Sequence, residues 1–315
     1  MWQSLAAFIL LLLYAHDVKA QQTFTALSYN IENAFDTIHD EGKQDYEFCA
    51  GGERRWNKQR LFKKLIAIGK VIVAADEQKP VDLIGLCEVE NDTVMTYLTE
   101  HTPLKNLGYR YIMTHSSDKR GIDVALLYSP FTFYPVEVQD IHPHAGNRNT
   151  RDILHVAGII AKGDTLDAYV LHLPSKLGGG EAQQVSMNIC QQLLSHADSV
   201  CASRQCPNLI IMGDFNAETN SPQLKLLTQS RSLTDRTVDL EPGTYKYQGE
   251  WSTIDHILTH TTTLSHLLTR ILTFPFLTEP DPLGNNEKPY RTYRGPNYLG
   301  GPSDHLPVVS VFQMR

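Results

Sequence analysis

The sequence predicts an α/β protein in which two packed β-sheets carry helices on their outer faces. Apolar runs typical of strands occur in both halves of the chain, and each half also contains one long stretch with helical periodicity. Several of the apolar runs end in Asp, Glu, Asn or His, which places polar groups at the ends of the expected strands. With 315 residues and 42% hydrophobic content, the chain can bury a large core within one domain.

The clearest of these strand ends lies at residues 210–216, where an apolar run leads into Gly213, Asp214, Phe215 and Asn216. The branched and apolar residues predict a strand that is buried on both faces. Gly213 is expected to allow a tight turn, and the alternation around Phe215 points the side chains of Asp214 and Asn216 in the same direction. We therefore expect a carboxylate and an amide at the rim of a sheet.

The other elements follow from local patterns along the chain. Helices are predicted over residues 56–75 and 182–197, with shorter helices near Leu224 and after a cap at Asp92 or Thr93. The remaining strands are expected at residues 23–29, 81–87, 109–113, 124–128, 131–138, 154–160, 166–171, around 255, 268–276 and 307–312, with long loops at 36–55 and 279–301.

The first part of the chain is predicted to be a signal peptide, residues 1–20, which leaves residues 21–315 as the folded domain. Residues 6–14 are apolar but too few to span a bilayer, and the segment ends in Ala20 as a signal-peptidase site would. No basic residue lies near Met1, so an uncleaved anchor is the alternative. Export to a bacterial periplasm or the exterior is the expected location, with no stable membrane insertion.

Charge and cysteine content narrow the function classes. The formal net charge is −7 and the pI is about 6.0, whereas proteins that coat nucleic acid carry clustered Lys and Arg. A phosphate substrate remains compatible, because a bound cation would reverse the local charge. The five cysteines are too few for a disulfide scaffold in a chain of this length. Cys201 and Cys206 lie close together and either bridge or remain thiols.

Four further segments carry polar residues at strand ends. A single polar residue there is usually a turn former or a helix cap, but turn chemistry does not require Glu88 directly after Cys87, or His305 directly after Asp304. Phosphoryl transfer would use all of them, as oxygen ligands for a divalent cation, as a carboxylate that accepts a proton from water, and as imidazoles or amides that stabilise charge on phosphate oxygens. The four segments cover residues 28–33, 86–91, 254–257 and 303–307.

Taken in order, these motifs resemble the endonuclease/exonuclease/phosphatase family, which includes pancreatic deoxyribonuclease, abasic-site endonucleases, inositol-phosphate 5-phosphatases and bacterial sphingomyelinases. The resemblance runs from residue 30 to residue 308 and is greatest to the secreted bacterial branch. Each motif is short, but the ordered set is specific. The motif positions are Asn30 in Tyr-Asn-Ile-Glu-Asn, Glu88 in Leu-Cys-Glu-Val-Glu-Asn, Asp123 in Arg-Gly-Ile-Asp-Val-Ala-Leu-Leu-Tyr, His172 in His-Leu-Pro-Ser-Lys, Asp214 and Asn216 in Gly-Asp-Phe-Asn, Asp255 in Ile-Asp-His-Ile, and Asp304 and His305 in Ser-Asp-His-Leu-Pro-Val.

The resemblance implies a four-layer α/β sandwich and a Mg²⁺-dependent phosphoric ester hydrolase, with Mn²⁺ or Ca²⁺ as alternative ions. It implies that Glu88 is the main metal ligand and that Asn30 and Asp304 lie near the ion. Asp214 would orient or deprotonate the attacking water, and Asn216 would fix its geometry.

Two histidines are implied to contact the scissile phosphate. His305 would be held by Asp255, and His172 would act from the other side with Asp123 as its partner. A carboxylate partner sets the tautomer of an imidazole and favours its charged form beside an anionic phosphate.

Basic and aromatic side chains near the motifs are candidate substrate contacts. Arg120, Arg151 and Lys176 would hold the phosphate, with a solvated surface position as the alternative. Tyr245 and Trp251 would either stack on a base or sugar or belong to the core.

The leaving group is not determined by any motif. We favour a nuclease or general phosphodiesterase that acts on a phosphate ester, with nucleic acid among the candidates. The alternatives are a phosphomonoesterase or lipid phosphodiesterase of the inositol phosphate or sphingomyelin type, and a non-catalytic exported binding protein. A calcineurin-like phosphatase is excluded because its Gly-Asn-His-Asp/Glu block is absent. The sequence makes no prediction of the oligomeric state.

Overall fold

The computed structural model describes residues 22–146, 149–175, 179–229, 233–284 and 286–315, which form two six-stranded mixed sheets with flanking helices. The predicted α/β sandwich is therefore confirmed. Its elements are β1 (Thr23–Ala34), α1 (Lys58–Ala74), β2 (Leu83–Val89), α2 (Asp92–Glu100), β3 (Arg110–Met113), β4 (Asp123–Tyr128), β5 (Phe133–Ile141), β6 (Ile153–Ile160), β7 (Thr165–His172), α3 (Gly179–Ser203), β8 (Asn208–Asp214), α4 (Pro222–Gln229), β9 (Thr234–Asp235), β10 (Tyr245–Tyr247), β11 (Glu250–Ser252), β12 (Asp255–Thr261), β13 (Leu264–Ile271), β14 (Thr278–Pro280), β15 (Glu287–Pro289), β16 (Tyr293–Arg294), β17 (Asn297–Tyr298) and β18 (Val308–Met314).

Each sheet contains one central parallel pair within otherwise antiparallel neighbours. The first sheet has the order β13-β18-β1-β2-β4-β3, with β1 and β2 parallel. The second has the order β5-β6-β7-β8-β12-β9, with β7 and β8 parallel. Because parallel strands end at the same edge of a sheet, the carboxyl ends of β1 and β2 lie together, and so do those of β7 and β8.

Side chains that alternate along β8 show how the four layers pack. Ile210 and Met212 belong to the core between the two sheets, whereas Ile211 belongs to a second core with α3 and α4. The sheets approach closely at Gly85, where an added Cβ would lie 2.9 Å from the Met212 side chain. On the other side, Leu61 of α1 packs into the core of the first sheet. The strand period of two thus fills both cores from one strand.

Some local predictions differ from the structure. The cap of α2 is Asn91 rather than Asp92 or Thr93, because the Asn91 side chain accepts hydrogen bonds from the amides of Thr93 and Val94. The strand expected at 268–276 is Leu264–Ile271, and the loop expected at 279–301 contains two short hairpins, β14–β15 and β16–β17.

Gly213 is required for a different reason from the predicted turn. It lies inside β8 with φ of 143°, and an added Cβ would sit 1.9 Å from the carbonyl oxygen of Leu171 on β7. A side chain at this position would therefore separate β7 from β8.

The remaining sequence predictions concern export and thiols. The predicted signal peptide lies outside the described residues, and no helix within them combines the length and apolar character of a membrane span. All five cysteines are described, and none forms a disulfide in the structure.

Candidate active site

The strand registers bring three motif residues side by side at one edge of the second sheet. His172 of β7 is the register partner of Asp214 on β8, and Asp255 of β12 is the partner of Asp214 on the other side. In the first sheet, Asn30 pairs with Cys87, the residue before Glu88. The two sheet edges together therefore surround one site.

A cavity of about 690 Å³ opens at this edge. Asn30 and Asp255 lie beneath it, bonded to Asp214 and His305 respectively. Lys176 lies outside the described residues. The predicted site residues that line the cavity are Glu88, Arg120, Arg151, His172, Asp214, Asn216, Asp304 and His305.

Asp214 lies at the centre of the site and is held through both carboxylate oxygens. Its Oδ2 accepts a hydrogen bond of 2.9 Å from Nδ2 of Asn30, and its Oδ1 accepts one of 2.8 Å from the amide of Asn216. Burial, together with the negative charge of Asp255, raises the pKa of Asp214 to about 7 against the opposing charge of His305. A carboxylate with this pKa can accept a proton near neutral pH.

His305 is the positively charged histidine of the site. Its Nδ1 lies 2.8 Å from Oδ2 of Asp255. Burial alone would lower the pKa of His305, but Asp255, Asp214 and Asp304 raise it well above its ordinary value of 6.5. The Tyr245 ring lies 5.0 Å from the imidazole. The charged ring faces the cavity, where an anionic group would be stabilised.

His172 has the opposite electrostatic setting. Burial, followed by the charges of Arg151, Arg120 and His305, lowers its pKa well below 6.5. Its Nε2 lies 3.4 Å from Oδ2 of Asp214, whereas its buried Nδ1 has no hydrogen-bond partner in the described chain. A neutral ring with its proton on Nε2, facing the carboxylate, fits both observations.

The expected pairing of Asp123 with His172 is wrong. Oδ1 of Asp123 accepts hydrogen bonds from the Thr114 hydroxyl at 2.7 Å and from the Ser116 amide at 2.9 Å. Asp123 begins β4 in the first sheet, and the loop after β3 packs against its side chain. His172 lies on the second sheet and is not bonded to Asp123. Asp123 therefore supports the loop that precedes Arg120.

The two described arginines of the predicted set differ in availability. The Arg120 side chain is 50% exposed, donates a 2.6 Å hydrogen bond to Oδ1 of Asn33 and lies 3.9 Å from Glu88. Arg151 is buried, and its nitrogens donate to the carbonyl oxygens of His172 and Leu173 and to Asp118. Arg120 can thus contact a substrate phosphate, whereas Arg151 positions the end of β7.

Glu88 has the properties of a cation ligand. Its Oε2 accepts a 2.8 Å hydrogen bond from the Asn33 amide, whereas Oε1 lies 4.0 Å from Nε2 of His172. Asp304 is bonded to Arg291 through Oδ2 at 2.7 Å, and Oδ1 lies 3.9 Å from His305. Carboxylate oxygens left facing a cavity in this way fit Mg²⁺ or a similar hard ion.

Asp214, Asp255 and His305 also bring ligand atoms within 4.8 Å of one another. We assign these three side chains to the reaction and not to an ion, because Asp255 and Asp214 raise the pKa of His305 well above 6.5 against the effect of burial and so favour its positively charged form.

Backbone strain is concentrated in this region. Four residues with side chains have left-handed conformations, with φ of 46° at Glu32, 50° at Asn33, 64° at Glu88 and 48° at Asn216. Such conformations are uncommon outside glycine and persist only where surrounding contacts impose them. Here they direct Glu88 and Asn33 toward each other and Asn216 back onto Asp214.

Lys64, which belongs to none of the sequence motifs, reaches the site from α1. This lysine is 2% exposed and donates hydrogen bonds to the Thr292 hydroxyl and the Pro302 carbonyl, which hold the loop before Asp304. Burial lowers the pKa of Lys64 to about 8, against the charges of Glu32, Asp304 and Glu88. The sequence does contain one indication that Lys64 is buried, because it follows Leu61 by three residues and so lies on the apolar face of the helix.

Aromatic rings form one wall of the cavity. Tyr245, Tyr247 and Trp251, from the β10–β11 hairpin, line it, and the Tyr247 side chain is exposed. Lys246 lies over the Trp251 ring and forms an ion pair with Asp281 at 2.8 Å, which fixes the hairpin. Tyr245 and Trp251 thus reach the cavity, although Trp251 also packs against the core.

Comparison with known proteins identifies the family. The Endonuclease/Exonuclease/phosphatase family model matches residues 25–314, and a search of curated proteins gave no match. A mannosyl-6-phosphatase from Bacteroides thetaiotaomicron superposes with a TM-score of 0.62 at 17% identity, covering 92% of this chain and 99% of that one.

Two other solved structures show the same fold. The human Nocturnin catalytic domain with bound sulfate has a TM-score of 0.62 at 20% identity and covers 93% of this chain and 94% of its own. D. rerio TDP2 complexed with single strand DNA product has a TM-score of 0.59 at 13% identity, covering 93% of this chain and 100% of its own. The chain belongs to the endonuclease/exonuclease/phosphatase family of phosphoester hydrolases.

Proposed function

We propose that this protein is a divalent-metal-dependent phosphoesterase that uses an activated water molecule. The observation that carries the proposal is the position of Asp214, a buried carboxylate with a pKa of about 7, between neutral His172 and charged His305. If these side chains served only to stabilise the fold, we would expect their polar atoms to be hydrogen-bonded to one another. Here Nε2 of His305 and Oε1 of Glu88 face a cavity instead.

The side chains divide the reaction between them. Asp214 accepts a proton from water, whose oxygen then attacks phosphorus, and the bond from phosphorus to the leaving oxygen breaks. His305 places its positive charge beside the oxygens that gain charge, and Asp255 holds that ring in position. Asn30 and Asn216 keep the Asp214 carboxylate oriented.

A divalent cation would be held by Glu88 and Asp304, with Asn30 close by. Mg²⁺ is the first candidate and Mn²⁺ or Ca²⁺ the alternatives, since the available donors are oxygens. When bound, the ion supplies positive charge that stabilises the phosphoryl and leaving oxygens. Arg120 adds a half-exposed guanidinium suited to a phosphate oxygen pair.

For the substrate, a phosphodiester is our first candidate, with nucleic acid among the diesters. The aromatic wall of Tyr245, Tyr247 and Trp251 lies beside His305 and offers flat surfaces on which a base or sugar of the leaving group can stack. The TDP2 structure with a DNA product shows that one protein of this fold accepts such a ligand.

A sugar phosphate is the second candidate. Glu250 lies beside Trp251 on the cavity wall, and an acidic group next to an indole suits a neutral sugar better than a polyanion. The structurally similar mannosyl-6-phosphatase is named for such a substrate. A lipid phosphodiesterase remains a third candidate, and a non-catalytic exported binding protein is the alternative of another class.

Purified protein with Mg²⁺, Mn²⁺ or Ca²⁺ should be tested against plasmid DNA, RNA, bis-p-nitrophenyl phosphate, sugar phosphates, inositol phosphates and sphingomyelin. We expect metal-dependent hydrolysis that EDTA abolishes. Full turnover in EDTA would refute the metal requirement. Failure of the entire panel, with folded protein and added metal, would favour the binding protein.

Export is proposed from the N-terminal segment alone. Mass spectrometry of the natively expressed protein should find a mature form that begins near Gln21. An active form that retains residues 1–20 would contradict cleavage and favour the anchor.

A further inference from the structure

A second cluster of metal-ligating side chains lies in the loop between β1 and α1, outside the hydrolytic site. His39, Asp45 and Cys49 each bring a ligand atom, a ring nitrogen, a carboxylate oxygen and a sulfur, within 4.8 Å of the other two. We propose that these three residues bind a divalent transition-metal ion of the zinc class. The proposed hydrolysis does not use any of them.

Local structure holds the three donors together. Asp45 precedes and Cys49 follows the 3-10 turn at Tyr46–Phe48, so the two side chains are four residues apart across that turn. Sγ of Cys49 lies 3.6 Å from the carbonyl oxygen of Asp45. The His39 ring stacks on Tyr46 at 4.1 Å, and its Nδ1 lies 2.5 Å from Oδ1 of Asp45. Donors fixed in this way lose little freedom when an ion binds.

The surrounding charge favours a cation. Asp36 and Asp45 are buried, with Asp45 only 1% exposed, and Asp40 lies beside them. In the described parts of the chain, no Lys or Arg forms an ion pair with these acids, and His39 contacts Asp45 through Nδ1. Buried carboxylates in proteins are normally paired or coordinate metals, so a bound ion would supply the missing charge.

The donor set selects the class of ion. Mg²⁺ and Ca²⁺ take oxygen ligands, whereas Zn²⁺ binds imidazole nitrogen, thiolate sulfur and carboxylate oxygen in tetrahedral sites. Three protein ligands leave a fourth position for water. Cys49 must lose its thiol proton to ligate, so binding releases that proton to solvent.

The expected consequence is structural. The amide of Gln44, within the same loop, donates a 2.7 Å hydrogen bond to the carbonyl of Lys119, next to Arg120. Lys43 adds hydrogen bonds to the carbonyl oxygens of Ser116 and Asp118. An ion that fixes this loop should therefore stabilise the fold, by mass action on the bound state.

Titration of metal-free full-length protein with Co²⁺ tests the proposal, because thiolate–cobalt bonds give a charge-transfer absorption in the near ultraviolet. We expect one such site, with the absorption lost when Zn²⁺ displaces Co²⁺. Cys49→Ser should abolish the absorption and weaken Zn²⁺ binding by more than about tenfold in calorimetry, and His39→Ala should weaken it similarly.

Two controls separate this site from other metal binding. Cys206→Ser removes an exposed thiol elsewhere and should leave the absorption unchanged. Glu88→Gln, at the hydrolytic site, should leave it unchanged as well. Absence of the absorption in the wild-type protein, or its persistence in Cys49→Ser, would overturn the proposal whatever the protein hydrolyses.

Discussion

Two of the buried His–Asp pairs lie on opposite faces of the second sheet. His305 contacts Asp255 at 2.8 Å, and His256 contacts Asp235 at 3.0 Å. Asp255 and His256 are consecutive residues of β12, so their side chains leave opposite faces of the strand. The first pair meets the cavity, whereas the His256 ring packs against Phe215 of the second core.

The two pairs differ at the second ring nitrogen. Nε2 of His256 lies 2.9 Å from the carbonyl oxygen of Ala217, and the Thr237 hydroxyl lies 2.6 Å from its Nδ1. Among the described residues, Nε2 of His305 lies near only the carboxylates of Asp214 and Asp304, each at 3.9 Å, and His305 lines the cavity. The same chemical pair thus supports the fold where both nitrogens are occupied and can act on a substrate where one is left open.

The largest effect is expected from changing the open pair. His305→Asn keeps a donor for Asp255 but removes the positive charge, so kcat should fall about 1,000-fold. The thermal unfolding temperature should fall less than in the matched variant of the closed pair, because the hydrogen bond to Asp255 is retained and only the charge is lost. Initial rates and calorimetry on one preparation measure both quantities. Wild-type kcat in this variant would remove His305 from the reaction.

The matched change in the closed pair should have the reverse outcome. His256→Asn loses the bond to Ala217 and the charge that compensates Asp235, so the free energy of unfolding should fall by about 2–4 kcal/mol. The kcat of the folded fraction should stay within about twofold, as measured by urea unfolding and active-site-normalised rates. A 1,000-fold loss of kcat without loss of stability would show that His256 acts in the reaction and would contradict its structural role.

A smaller effect should appear in the pH dependence of stability. Asp235 raises the pKa of His256 above 6.5 against the effect of burial, and His256 lowers the pKa of Asp235 below 3.8. The His256 contribution is complete below pH 6.5 and is lost as pH rises through its folded pKa; the Asp235 contribution is complete above 3.8 and is lost as pH falls through its folded pKa. The loss of unfolding free energy caused by His256→Asn should therefore be largest between pH 3.8 and pH 6.5, and it should become smaller in alkaline solution.

In metal-free buffer, the ionised form of Asp214 should destabilise the fold, whereas the ionised form of Asp235 stabilises it. The pKa of Asp214 is raised from 3.8 to about 7, so its ionisation destabilises the fold as pH rises through that range. Asp214→Asn should then be more stable than wild type at about pH 8 in EDTA. Urea unfolding across the pH range measures both variants, and a less stable Asp214→Asn protein would contradict the raised pKa.

The layers, and the positions of the motif residues at strand ends, could be predicted from the sequence for a physical reason. Residues such as Glu88 and Asp214 directly follow buried apolar runs, so local pattern places them at the ends of β2 and β8. Parallel pairing then brings the strand ends together. The resemblance to a family supplied the roles, which no single motif determines.

The one wrong pairing concerns a contact between distant segments. Asp123 bonds to the loop after β3 and not to His172, because the chain folds back onto it there. Local periodicity carries no information about such partners. The role of Lys64 could not be predicted from the sequence, because lysine on a helix is usually solvated and its buried acceptors, Thr292 and Pro302, lie more than two hundred residues away.

The central claim is that water, deprotonated by Asp214, attacks phosphorus in this cavity. The most direct test is single-turnover hydrolysis, in ¹⁸O-labelled water with Mg²⁺, of whichever nitrophenyl phosphate ester proves the better substrate. The account predicts one ¹⁸O atom in the phosphate-containing product of the wild-type protein. It also predicts a rate about 1,000-fold lower for the folded Asp214→Asn variant. Label in the nitrophenol, an unlabelled phosphate product, or a wild-type rate in Asp214→Asn would contradict it.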